Sequence, residues 1–162
     1  MVILILITLG TQDKPFDRLL DAVQKQIDNK KIKDRVVVQT GHTKYESEDM
    51  ELFDFISSDD FSKLMDEAKI IITHAGVGSI LAGVNRKKPV IAAARLKEHG
   101  EHTNNHQLEI LEQFSNDGYI LKLDDFDKLD KLLVKAKKFV PEKYKSNNKY
   151  FIKKLSEYID NL

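Results

Sequence analysis

The chain has 162 residues, 41% of them hydrophobic, with 26 basic and 26 acidic side chains and no cysteine. One domain of that length buries about two thirds of the surface its unfolded form exposes and needs no covalent staple. The balanced charge gives no net field to gather nucleic acid, and the lack of cysteine excludes disulfides, thiolate metal sites and a cysteine nucleophile while fitting a reducing cytosol.

The apolar run over residues 1–7 lacks the basic leader and small-residue cleavage site of a signal peptide and is far shorter than the roughly 20 residues of a spanning helix. Its β-branched and leucine content predicts a buried parallel strand over residues 2–8. After Leu9-Gly10-Thr11-Gln12, Asp13 is placed to cap a helix with Pro15 in its first turn, and Phe16, Leu19, Leu20, Val23 and Ile27 recur at helical spacing. Residues 35–39 read as a second strand ending in Thr40-Gly41-His42, and residues 52–56 as a short third. Ser57 or Ser58 caps a helix carrying Phe61, Leu64, Met65 and Ala68.

Residues 69–73 form the predicted fourth strand, the turn Thr73-His74-Ala75-Gly76-Val77-Gly78-Ser79 follows, and residues 79–86 open the next helix. A fifth strand at 89–94, a polar loop at 95–103, a helix at 104–115 with Leu108, Leu111 and Phe114 on one side, and a last strand at 119–123 come next. Residues 125–138 and 141–161 read as helical, with Phe151, Ile152, Leu155, Tyr158 and Ile159 in one stripe that suits either docking or packing on its own domain. Strands alternating with helices predict an α/β fold, a Rossmann-like parallel sheet with helices on both faces, in a single domain over 1–162. Ligands of such sheets bind at the carboxyl ends of the strands, which selects the loops at 8–14, 39–45 and 73–79.

Glycines at 76 and 78 after an apolar strand let the backbone turn sharply, so that the amides of Gly78, Ser79 and Ile80 can face an anion; tight helix-to-strand packing is the competing explanation. The spacing is neither the dinucleotide pattern GxGxxG nor a P-loop. Gly10, Thr11 and Gln12 repeat the arrangement after the first strand, as phosphate or sugar ligands or as a plain loop. His74 suits a general base, a phosphate ligand or a packed structural histidine. His102 and His106 stand at i and i+4, a metal-ligand spacing if both were helical, but Thr103-Asn104 looks like a helix start that leaves His102 outside, so no metal site is assigned. Ser79 lacks the closing glycine of a nucleophile elbow.

Five ordered segments, VILILITLGTQDK at 2–14, VQTGH at 38–42, ITHAGVGSIL at 72–81, KPVI at 88–91 and EHTNNHQ at 101–107, together resemble glycosyltransferase family 28, C-terminal domain. Within it they are most similar to the stand-alone subunits of bacterial exopolysaccharide synthesis and to the catalytic subunit of the dolichol-linked N-acetylglucosaminyltransferase. The resemblance implies the C-terminal half of a GT-B glycosyltransferase. It assigns Gly10, Thr11, Gln12, Gly78 and Ser79 to a donor diphosphate, with Gly76 in the same substrate site, Thr40, Gly41, Phe55 and Ile56 to the uracil, and Gln107 with His106 to sugar hydroxyls. Glu101 and Arg95 would shape the same region, with His74 the in-chain candidate for catalytic base. Two departures stand out: Ala82 where family members commonly carry an acidic residue for the ribose, and Ala94 where a proline usually precedes the arginine.

By the same resemblance the reaction moves a hexose or N-acetylhexosamine from a UDP-sugar, a co-substrate rather than a cofactor, to a lipid-linked saccharide acceptor. A membrane-anchored acceptor-binding subunit would complete the cleft and hold the chain peripherally at the cytoplasmic face. The alternative is a non-catalytic nucleotide-sugar-binding regulatory or scaffold subunit.

Overall fold

A computed structural model describes residues 2–145, 156–157 and 159–160. Six strands, β1 (Leu4–Thr8), β2 (Arg35–Gln39), β3 (Glu51–Phe53), β4 (Ile70–His74), β5 (Val90–Ala93) and β6 (Leu121–Lys122), make one sheet in the order β3-β2-β1-β4-β5-β6. Every pairing is parallel. Between them run α1 (Asp17–Asp28), α2 (Ser58–Glu67), α3 (Val77–Val84) and α4 (His106–Asn116), and α5 (Leu129–Ala136) follows β6.

The near-continuous apolar runs in β1 and β4 are explained by burial on both faces. Ile5, Ile7, Val36, Val38, Ile70, Ile72 and Ile91 point to one side and pack under α1 and α5 through Leu19, Leu20, Val23, Leu129 and Leu133. Leu4, Leu6, Val37, Ile71, Val90 and Ala92 point to the other, beneath Met65 of α2, Ile80 and Val84 of α3, and Ile110, Leu111 and Phe114 of α4. Strand alternation thus feeds two cores from one sheet.

Several element ends differ from expectation. Asp13 caps nothing: α1 begins at Asp17 after Phe16, whose ring is fully buried and whose N–H donates to Thr43 Oγ1 at 3.1 Å, so burial of the aromatic ring fixes the helix start. Ser57, not Ser58, caps α2, its hydroxyl accepting from the Asp60 N–H at 3.1 Å. β3 ends at Phe53, and α3 starts two residues early, at Val77. The polar loop contains a single 3-10 turn, Lys97–His99, stopped by Gly100 at φ 68°. Residues 141–145 are not helical, whereas 156–157 and 159–160 are; the stripe residues Phe151, Ile152, Leu155 and Tyr158 lie outside the described residues.

The loops at the carboxyl edge are tied together by Arg95, just beyond β5 and 1% exposed. Its Nη1 donates to the carbonyls of Lys14 (2.7 Å) and Glu101 (3.1 Å), and its Nη2 to that of Leu9 (2.5 Å). The guanidinium also lies 5.0 Å from the centre of the Phe16 ring. Beside it Glu101 accepts two hydrogen bonds from Arg18, at 2.8 and 3.0 Å, and one from the Leu96 N–H at 3.0 Å. Replacing Arg95 with Met keeps the apolar stem but leaves three loop carbonyls without their donor. Urea unfolding should register a loss of about 3 kcal/mol; a loss below about 1 kcal/mol would mean the loops are held by other contacts.

Candidate functional site

The strand order reverses direction between β1 and β4, and in an open parallel sheet the crevice outside that point is where ligands sit. A cleft of about 510 Å³ opens there. The β1 loop supplies Gly10 and Thr11, the end of β4 and its turn His74 and Gly76, and α3 Gly78, Ser79 and Ala82. Thr8 and Gln39 contribute from the strand ends, and Ile56, Ser58 and Phe61 from the segment that enters α2.

His74 is packed between the two loops. A Cβ on Gly10, whose φ is 76°, would fall on His74 Nε2, and one on Gly76 would fall on His74 Cε1. Both glycines therefore serve packing, because only a bare backbone leaves room for the imidazole. Gly78 is different: a Cβ there would meet nothing within 4 Å, so no protein neighbour demands a glycine. What its missing side chain leaves open is the cleft.

The start of α3 lies beside that space. The Ile80 N–H donates to Gly76 O at 3.0 Å and so belongs to the helix, which corrects its expected role as an anion donor. The first-turn amides of Val77, Gly78 and Ser79 have no carbonyl one turn back within the helix, and they carry the positive end of its dipole. Thr8, Gln39 and Thr73 are in-register neighbours on three adjacent strands, so their side chains share one sheet face. Thr8 Oγ1 donates to Gln39 Oε1 at 2.9 Å, and the buried Thr73 Oγ1 has no hydrogen-bond partner among the described residues.

Behind His74 sits Gln107 of α4, also buried. Its Oε1 accepts from the N–H groups of Ala75 (3.2 Å) and Arg95 (3.0 Å), and its Nε2 lies 3.2 Å from His74 Nδ1. On the cleft side, His74 Nε2 is 3.3 Å from Ser79 Oγ. Burial, and then the charge of Arg95, push the His74 pKa down to about 3. The ring is neutral at pH 7, but so weak a proton acceptor gains little from deprotonating a hydroxyl, which counts against the expected role of general base.

Of the residues singled out in the sequence, Gly10, Thr11, Ile56, His74, Gly76, Gly78 and Ser79 come together around the cleft. Thr40 and Gly41 stand beside them: Thr40 Oγ1 donates to Phe53 O at 3.0 Å, and the Gly41 N–H to Asp54 O at 3.2 Å. A Cβ on Gly41 would come within 2.5 Å of Gly10 O, so the two loops touch backbone to backbone. Phe55 is half exposed and packs edge-on against His42, their centroids 5.3 Å apart. Gln12 and His106 do not line the cleft. Arg95, Glu101 and Gln107 do not either: the Arg95 Nη1 and Nη2, the Glu101 carboxylate and the Gln107 carboxamide are engaged inside the protein, while the buried Arg95 Nε has no hydrogen-bond partner among the described residues. His102 precedes the first residue of α4, and its Nδ1 accepts from the Asn104 N–H at 3.3 Å. Thr8 and Gln39 open two of the loops selected from the sequence but were not named as site residues, and Ser58 and Phe61 were read only as a helix cap and a helix residue.

Residues 4–162 match the model of the glycosyltransferase family 28 C-terminal domain. The chain belongs to that family. Among curated proteins it is 34% identical over 77 residues to the UDP-N-acetylglucosamine transferase subunit ALG13 of Candida albicans, covering 48% of this chain and 25% of the relative. The human protein of the same name is 27% identical over 125 residues, covering 72% of this chain and 10% of that one. The chain therefore spans only a minor part of these relatives.

Among solved structures, the glycotransferase of kitacinnamycin superposes with a TM-score of 0.64 at 17% identity, over 83% of this chain and 34% of that one. The solution structure of ALG13 superposes with a TM-score of 0.57 at 21% identity, over 96% of both chains. The fold is that of the GT-B glycosyltransferases. Ala82, the position expected from the resemblance to carry an acid in other members, lines the cleft.

The buried imidazole sets a pH dependence of stability. In the unfolded chain a histidine titrates near 6.5, whereas in the fold His74 stays neutral down to about 3. Across that interval the unfolded chain binds the extra proton, so the stability attributable to His74 is full above pH 6.5 and is lost as pH falls toward 3. Between pH 7.5 and 5 the loss is about 2 kcal/mol. Urea midpoints should fall over this range in the wild type and fall less in His74→Gln; equal slopes would show that the ring is not held neutral.

Proposed function

We propose that the chain is the donor-binding subunit of a two-component glycosyltransferase that moves an N-acetylhexosamine or hexose from a UDP-sugar to a lipid-linked saccharide. The observation that carries the reading is the cleft at the β1/β4 switch point, where the first-turn amides of α3 and the unoccupied space beside Gly78 meet in a family 28 domain. A diphosphate leaving group gains negative charge as the glycosidic bond to the donor breaks, and preorganised neutral donors stabilise that charge in the transition state. Thr40, Gly41, Phe55 and Ile56 stand on the side where the uracil would lie.

The partner reading is supported by the curated relatives, which are named as transferase subunits. The partner would bring the acceptor, supply the base that takes the acceptor's proton, and hold the complex at the cytoplasmic membrane face. Among the described residues no helix is long and apolar enough to cross a membrane.

Calorimetry with UDP and UDP-N-acetylglucosamine, followed by transfer assays with and without the acceptor-binding partner, tests the proposal. Binding by the chain alone and transfer only with the partner are expected. No UDP binding would overturn the reading, and binding without transfer in any pairing would point to a non-catalytic scaffold, a reading that Ala82 in place of an acid favours. Gly78→Ala gives a sharper check. The unliganded protein should be equally stable or up to about 1 kcal/mol more so, because Gly78 is helical and its Cβ meets nothing. UDP affinity should nonetheless fall about tenfold or more, the loss of roughly one charge-assisted hydrogen bond.

A further inference from the structure

Gln107 was expected to read sugar hydroxyls, yet its carboxamide is enclosed by the protein, and its neighbours dictate how it is turned. Two backbone N–H groups, those of Ala75 and Arg95, converge on one end atom at 3.2 and 3.0 Å, and only the oxygen can accept both. The other end is then the NH2 group, 3.2 Å from His74 Nδ1. An NH2 group of an amide donates and does not accept, so Nδ1 must offer its lone pair, and the proton of the neutral ring resides on Nε2. The opposite tautomer and the imidazolium both carry a proton on Nδ1 and would set donor against donor. Turning the carboxamide over would instead aim its NH2 at two buried backbone N–H groups.

We propose that Gln107 is a positioning residue that locks His74 in the neutral tautomer protonated on Nε2, so that His74 offers the cleft a hydrogen-bond donor and not a base. Burial and the nearby Arg95 charge act in the same direction by opposing the imidazolium. The consequence extends one residue further. His74 Nε2 lies 3.3 Å from Ser79 Oγ, so its N–H donates to that hydroxyl and leaves the Ser79 proton to point elsewhere. Backbone amides donate to Gln107, Gln107 to His74, His74 to Ser79, and each bond polarises the next in the same sense. The chain ends in an O–H at the cleft, beside the amides of α3, a polarity that suits an anion. The diphosphate as that anion rests on the function proposed above; the tautomer does not.

The test is long-range 1H–15N correlation NMR on the full chain carrying 15N-labelled histidine, at pH 7 without nucleotide. The signals of His74 are assigned by their loss in His74→Gln. In the wild type, Nε2 should bear the proton and Nδ1 none; a proton on Nδ1 overturns the proposal on this measurement alone. Gln107→Glu keeps an oxygen for the two backbone amides but sets a carboxylate oxygen against Nδ1. In that variant Nδ1 should become protonated while the backbone spectrum remains that of the folded protein. A folded Gln107→Glu protein with Nδ1 still bare would show that Gln107 does not set the tautomer. A UDP titration then separates the two readings: no UDP binding with Nδ1 bare removes the nucleotide and leaves the tautomer assignment standing, whereas UDP binding with a proton on Nδ1 does the reverse.

Discussion

The geometry of the carboxyl edge depends on one buried cation. Loops at strand ends expose carbonyls that regular structure does not satisfy, and packing three of them against each other needs a donor that reaches all three. Arg95 does so from a single side chain, joining Leu9 and Lys14 of the first loop to Glu101 of the loop after β5. A lysine has one nitrogen, whereas the planar guanidinium spreads its donors over two directions here. Burial lowers its pKa to about 10, leaving it charged at neutral pH, and the nearby carboxylates of Glu101 and Asp13 offset part of the desolvation cost. Its backbone N–H donates to Gln107 Oε1, so the residue that fixes the loops also fixes the side chain behind His74.

With the loops held this way, the cleft is walled by uncharged groups, apolar ones such as Ile56, Phe61 and Ala82 together with hydroxyl, amide and imidazole groups. None of its lining residues is a lysine, arginine, aspartate or glutamate. An anion in it would be met by the first-turn amides of α3 and by hydroxyl groups, which are fixed before the ligand arrives and need little reorganisation. Compensation by a full opposite charge is not offered from this side. Such a wall would suit the ligand proposed above, its charge shared with whatever surface faces it across the cleft. Ala82 contributes to the same neutrality.

The glycine-rich turn combines two functions that its sequence could not separate. Gly76 and Gly10 are bare because an imidazole lies against them, and Gly78 is bare with nothing against it. Packing thus accounts for Gly76 in this turn and leaves Gly78 to the proposed ligand site. The packed imidazole is also part of the wall, which is why the structural and functional readings of His74 converge.

The sequence by itself determined the parallel sheet, both of its faces and the loops that form the cleft, because strand and helix periodicity is local and strand burial is written in unbroken apolar runs. The ordered motifs likewise identified Gly10, Thr11, Gly76, Gly78 and Ser79 as neighbours. Only the tertiary structure decided the rest. Asp13 looked like a cap until the buried Phe16 moved the start of α1 to Asp17, and Ile80 looked like an anion donor until α3 began at Val77. Arg95, Glu101 and Gln107 read as ligand residues because polar side chains near a site are expected to face it. Their partners come from segments far apart in the chain: backbone carbonyls of Leu9 and Lys14 for Arg95, the Arg18 guanidinium for Glu101, and the Ala75 N–H and the His74 ring for Gln107. Which of these become buried together is settled by loop packing that no local pattern encodes.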